Sequence, residues 1–204
     1  MAKTDFKKTM KALYDAPRGR FVAVDVPPMR FLVVDGEGDP NTVAAYRSAV
    51  EALYATSYAI KFATKAATGQ DYVVPPLEGL WHADDPAAFL QRRKHEWRWT
   101  MMIMVPDMAG EAAIDAALER TRMKLGALPA LMRIATFDEG RCLQALHVGS
   151  YDDEGPLLAQ LHDEVMPAAG LTFNGPHHEI YLSDPRRVAA AKLRTILRQP
   201  VKPL

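Results

Sequence analysis

Glu179 lies in the run His177-His178-Glu179-Ile180-Tyr181-Leu182, in which polar and apolar residues alternate as they do along a strand. An ionised carboxylate avoids burial unless it is paired or functional, so a glutamate between apolar neighbours is a candidate base or receiver of positive charge. A spacing of two sets His177, Glu179 and Tyr181 on one face, where the tyrosine can bond to the carboxylate. His178, Ile180 and Leu182 then form a second face, read as apolar and helix-covered. The bland alternative is a solvated edge strand. In Pro76-Leu77-Glu78-Gly79-Leu80-Trp81, Glu78 and Trp81 face opposite ways unless a bulge at Gly79 turns them together. Trp97, Trp99 and Met101 at spacing two make a flat aromatic wall, which either stacks a planar ligand or fills core. Ten methionines supply adaptable packing around it. His147, just ahead of Gly149, is a candidate base against the commoner core or rim histidine.

Other chemistries find less support. His177 and His178 point to opposite faces, and no helix carries paired ligands one turn apart, so neither metal nor cofactor is expected. Gly36-Glu37-Gly38 extends to no third glycine and no lysine before a helix, which excludes a dinucleotide fingerprint and a P-loop. Arg92-Arg93-Lys94-His95 beside Asp84-Asp85 reads as a solvated loop, and with 25 basic against 25 acidic residues there is no field to draw in nucleic acid or a membrane. The single Cys142 reads as buried packing. The basic, h-region-free start and the absence of an apolar stretch approaching roughly 20 residues predict a soluble, cytoplasmic protein.

These residues need elements to hold them. The spacing predicts a short N-terminal helix over Thr4–Tyr14 and a strand over Phe31–Val34. Asn41 or Thr42 then caps a long helix carrying Tyr46, Val50, Leu53 and Ile60 to a stop at Gly69. Strands over Tyr72–His82 and Trp97–Val105 follow, then a helix over Glu111–Leu125. The second half repeats the order with strands Met132–Thr136 and Cys142–Tyr151, a helix around Leu157–Val165, and strands His177–Leu182 and Leu193–Arg198. The expectation is one α+β domain, 1–204, of two pseudo-symmetric strand-helix-strand-strand units (about 20–126 and 127–204) after a short arm, 1–19. Their joined antiparallel sheets leave a central ligand cleft. Into it the first half should send Glu78, Trp81, Trp97 and Trp99, and the second His147, Glu179 and Tyr181.

In combination, several segments resemble the stand-alone GyrI-like small-molecule-binding proteins along nearly the whole chain. They are Asp5-Phe6-Lys7-Lys8 with Leu13-Tyr14, Val26-Pro27-Pro28-Met29-Arg30-Phe31, Asp35-Gly36-Glu37-Gly38-Asp39-Pro40-Asn41, the Pro75–Trp81 motif, Trp97-Arg98-Trp99 with Met101-Met102, and His178–Pro185. The resemblance implies the fold of the effector domains of multidrug-sensing transcription regulators, with Glu179 as the pocket carboxylate that receives cationic aromatic drugs. About twenty residues before the first strand leave no room for a DNA-reading module. One branch of the family hydrolyses the cyclopropane of DNA-alkylating cyclopropanoids, which implies Glu179 and Tyr181 as a catalytic pair. In that mechanism Glu179 deprotonates water, and Tyr181 or Glu78 donates to the carbonyl that gathers charge. The partner expected is an aromatic small molecule, for a monomer or homodimer. The alternatives are a non-catalytic sensor or scavenger, and a partner of DNA gyrase.

Overall fold

A computed structural model describes residues 3–85 and 87–204, the side chains of residues 87 and 90 excepted. Two short helices, α1 (Phe6–Thr9) and α2 (Lys11–Tyr14), lead into β1 (Val22–Val26) and β2 (Met29–Glu37). The long α3 (Ala44–Thr68) then runs to β3 (Leu77–His82), and a short α4 (Ala87–Leu90) precedes β4 (Arg98–Met104) and α5 (Glu111–Leu125). β5 (Arg133–Phe137) and β6 (Gly140–Val148) open the second half. A helical run follows: α6 (Gly155–Gln160), a π-helical turn (Leu161–Val165) and α7 (Met166–Ala168). The chain ends with β7 (Leu171–Phe173), β8 (His177–Tyr181) and β9 (Arg194–Pro203).

The strands form one antiparallel sheet in the order β1-β6-β9-β8-β3-β4-β2-β5, with β7 pairing the end of β9. That order is its own mirror image once β2, β3 and β4 are matched with β6, β8 and β9. Two strand-helix-strand-strand units meet at the β3/β8 pair. β1, which leads into β2, pairs β6 of the other unit, and β5, which leads into β6, pairs β2. The fold is α+β, as the residue pattern predicts.

Several boundaries differ from expectation for local reasons. Pro75-Pro76 delays β3 to Leu77, leaving Tyr72 only a bridge to Thr4. Asn41 does not cap α3; its backbone N–H and side-chain amide donate to Asp39 Oδ1 at 2.9 and 2.8 Å, so the helix starts after Val43. Its stop falls as read, at Gly69, in the left-handed conformation glycine tolerates (φ 74°), with its N–H on the Lys65 carbonyl at 2.9 Å. Tyr151 lies beyond β6, in a 3₁₀ turn.

Helices cover one face of the sheet. Ala49, Leu53 and Ile60 of α3 and Ile114 and Ala117 of α5 pack on Leu32, Val34, Met101 and Ile103, each large side chain stabilising by about 1.5–3 kcal/mol. Over the other unit, Leu161 and Met166 pack on Leu143, Leu171 and Val201. Among the described residues, no helix covers this face of the central strands between the two cores. Among the described residues, no helix is long and apolar enough to cross a membrane.

The reverse face corrects the reading of the β8 strand. His178 does face away from Glu179, but that side is a buried charge network beneath α1 and α2 rather than a purely apolar, helix-covered layer. His178 is fully buried, with Nε2 2.9 Å from Glu78 Oε2 and Nδ1 2.9 Å from Glu139 Oε1. Tyr14 donates to Glu78 at 3.1 Å, while Arg198 donates to Glu139 at 3.2 Å, to Gln144 and to the Leu13 carbonyl at 2.6 Å. Burial works against an imidazolium, yet Glu139 and Glu78 outweigh it and raise His178 to about 9. Burial likewise opposes the charge of Glu139, and His178 with Arg198 overrides it, holding the carboxyl down to about 2. Two cations and two anions thus balance in the interior.

The stability contribution of His178 is therefore complete below its ordinary 6.5 and lost as pH rises through about 9. Glu139→Gln should cost about 3–5 kcal/mol in urea unfolding at pH 6, because it leaves charges buried without their partner. The decline in stability between pH 6.5 and 9 should also flatten in that variant.

Candidate functional site

The site is built on the β3/β8 register, which sets Glu179 opposite Gly79, Trp81 opposite His177 and Leu77 opposite Tyr181. The pairing is regular through Gly79, so no bulge occurs and Trp81 shares the helix-side face with Glu179 and Tyr181. Glu78 is thereby turned to the reverse face. The glycine has a local purpose: a Cβ there would stand 3.1 Å from Trp81 Nε1, 3.2 Å from Tyr181 Oη and 3.1 Å from Met101 Sδ. In that space the Trp81 indole N–H donates to Tyr181 Oη at 3.0 Å, and the Tyr181 hydroxyl donates to Glu179 Oε2 at 2.8 Å.

A groove with a cavity volume of about 2390 Å³ runs over this floor, between α3 and the 155–168 helical run. It is larger than the roughly 300–1,000 Å³ of common small-molecule pockets. Its walls are aromatic. Tyr46 of α3 stacks on Trp81 (6.3 Å between ring centres, 30°), Trp97 meets Trp81 edge-on at 5.8 Å, and Tyr151 meets Tyr181 edge-on at 5.6 Å. Phe89 lies 5.3 Å from Trp97. At the rim, Arg92 and Lys94 pair with Asp152, and Lys94 Nζ sits 5.5 Å from the Trp97 ring.

Four of the residues singled out from the sequence, Trp81, Trp97, Glu179 and Tyr181, line this groove. The other four do not. Glu78 is held by Tyr14 and His178 on the reverse face. Trp99 shares the groove face but lies beneath it, 1% exposed, its ring occupying the space over Gly36 where a Cβ would come within 2.1 Å. Met101 is fully buried under Gly79. His147 packs in the rim, Nε2 3.0 Å from the Ser150 carbonyl. Cys142 is buried, and burial pushes its thiol up to about 12. Among the described residues, no cluster of His, Cys, Asp and Glu is arranged to hold a metal ion.

Burial sets the protonation of the groove. It raises Glu179 to about 7, against the Tyr181 hydrogen bond and the positive charge of His178 behind it, both of which favour the carboxylate. It lowers His177 to about 3, with His162 and His178 adding to the effect, so this imidazole is neutral; its Nε2 lies 3.6 Å from Glu179 Oε1. The Tyr181 phenol is raised well above its ordinary range, first by burial and then by Glu179. Its proton is committed to Glu179 and its oxygen accepts from Trp81. Tyr181 therefore positions the Glu179 carboxyl, and neither it nor Glu78 is placed to donate to a ligand.

Tyr46, Tyr151, His177 and Glu154 line the groove without having been singled out as site residues. His177 could have been found by the same alternation that marks Glu179. Glu154 ends the acidic run Asp152-Asp153-Glu154 and carries no sign of burial in sequence.

Solved structures with this architecture are known. A conserved protein from Listeria innocua shares 38% identity over 98% of this chain and 100% of its own, with a TM-score of 0.88. A hydrolase from Listeria innocua shares 37% identity over the same portions, with a TM-score of 0.83. The C-terminal domain of EcmrR, at 10% identity over 91% of this chain and 98% of its own, matches with a TM-score of 0.57, a likeness of fold alone. No protein with a curated functional record matches the chain. The model of the GyrI-like small molecule binding domain matches residues 21–202, and the chain belongs to that family.

Proposed function

We propose that the groove binds planar, poorly soluble aromatic molecules, neutral or cationic, and opens the strained ring of cyclopropanoids by adding water. The observation that carries this reading is the relay Trp81–Tyr181–Glu179 on the floor of an aromatic groove. A hydrolase from Listeria innocua at 37% identity over nearly the whole chain supports hydrolytic chemistry. The Trp81 and Trp97 faces stack the ligand. With Oε2 held by Tyr181, Glu179 turns Oε1 to a water, and a carboxyl near 7 is matched to general-base work at neutral pH. The water oxygen bonds to a cyclopropane carbon as the ring C–C bond breaks, and the water proton passes to Glu179. The released electron pair moves through the conjugated system to the carbonyl oxygen, which is then protonated.

Glu179→Gln should lower turnover of a cyclopropanoid by roughly a hundredfold to ten-thousandfold, followed by the loss of its chromophore. Quenching of tryptophan fluorescence by neutral aromatic ligands should persist. Unimpaired turnover in that variant would overturn Glu179 as the base, and wild-type protein that binds and never opens the compound would leave the groove a sensor or scavenger site.

Wild-type kcat/KM should rise with pH through about 7 as Glu179 ionises. Tyr181→Phe removes a hydrogen bond to the charged form, so the rise should move upward by about one to two pH units, with a smaller effect on the plateau.

A further inference from the structure

Glu154 immediately precedes α6, and its carbonyl accepts from the Leu157 and Leu158 N–H groups at 3.1 Å each. Its side chain does not cap that helix. The carboxyl is instead turned to the groove, 4% exposed, with Oε1 lacking any hydrogen-bond partner. Thr195 lies beside it on β9, next to Tyr181 in the sheet; its hydroxyl faces the Glu154 carboxyl and favours its charge, though neither Oε1 nor the hydroxyl completes a hydrogen bond of normal geometry. Both ring nitrogens of His177 are in the same condition. Buried polar atoms are nearly always satisfied, so several unpaired ones around Glu179 indicate a place completed by a polar group from outside the chain.

The two carboxyls of the groove differ in support. Glu179 receives the Tyr181 hydroxyl and has the His178 cation behind it. Glu154 has no cation behind it and only the Thr195 hydroxyl beside it, and the rim cations Arg92 and Lys94 are paired with Asp152. Two carboxylates sharing a desolvated site keep a proton between them, and it settles on the one whose charge is less supported. Burial first, and the charge of Glu179 second, push Glu154 up to about 10 against the influence of the Thr195 hydroxyl.

We propose that Glu154 acts as a carboxylic-acid hydrogen-bond donor that recognises an uncharged oxygen acceptor, a conjugated carbonyl, on the aromatic molecule in the groove. This rests on the reading that the groove takes planar aromatics. In ring opening, the same proton passes to the carbonyl oxygen as the electron pair arrives there, while Glu179 takes the proton of the attacking water. One proton then returns from Glu179 to Glu154 through solvent, and the protein is restored.

Xanthone and xanthene, alike in shape and differing in the carbonyl, test this without any turnover. Titrations followed by tryptophan quenching should show wild-type protein binding xanthone about tenfold more tightly. Glu154→Gln keeps an N–H donor and should retain most of that preference. Glu154→Leu should bring the two ligands within about twofold of one another, and this ratio is the readout, with retained xanthene quenching showing that the groove still forms. Xanthene binding with no carbonyl preference in wild-type protein, or a preference that survives Glu154→Leu, overturns the role of Glu154 alone. Failure of both ligands to bind wild-type protein overturns the aromatic-groove reading and this inference with it.

Discussion

The groove depends on a register: β8 lies against β3 with Glu179 directly opposite Gly79. A side chain at position 79 would press into the meeting point of the Trp81 indole and the Tyr181 hydroxyl. Because the residue is glycine, the indole and the phenol reach one another across the strand boundary and hold the carboxylate between the two units. The pairing joins the halves of the molecule and orients the Glu179 carboxyl in the same contact. Since side chains alternate along a strand, a slip of one residue would place Glu179 in the reverse layer and His178 in the groove.

The two faces of β8 are also coupled through charge. On the reverse side, Glu78 and Glu139 keep His178 an imidazolium, and Arg198 completes the balance. That cation stands behind the neighbouring residue, Glu179, and favours its ionised form against the desolvation imposed by the aromatic walls. The network beneath α1 and α2 thus supports the fold and adjusts the acidity of a group on the other side of the sheet. Tyr14, from the N-terminal arm, takes part through Glu78, which ties this short segment to the electrostatics of the site.

Period-two alternation made the groove face of β8 legible in sequence, and with it Glu179 and Tyr181. The duplicated order of elements was legible from helical spacing and turn residues. The partners of His178 were not, because Glu139 lies 39 residues away and Glu78 100 residues away on another strand, and no local pattern announces a buried ion pair. Glu78 was drawn toward the groove by a bulge that Gly79 could have supplied; the strand stays regular because the glycine is needed for clearance. Trp97 and Trp99 obey the same alternation yet differ in depth. Trp99 is in a central strand over Gly36, whereas Trp97 precedes the strand at its open end. Alternation identifies a face, and depth along it is set by what packs above.

Burial has opposite consequences for the acids and the imidazole that share the groove. It raises Glu154 and Glu179 and lowers His177, so each is moved toward its uncharged form. Near neutrality the floor therefore carries at most one negative charge, on Glu179, where a tyrosine hydroxyl and a cation behind the sheet support it. A ligand would meet aromatic faces, the two carboxyls of Glu179 and Glu154, and a few unpaired hydrogen-bonding atoms. Such a surface suits flat molecules, because stacking is tolerant of detail. Discrimination falls to the polar atoms, because a ligand that leaves them unpaired forfeits hydrogen bonds that water cannot replace once the groove is filled. Breadth of binding and selectivity of chemistry can then reside in the same cavity, the first set by its walls and the second by its floor.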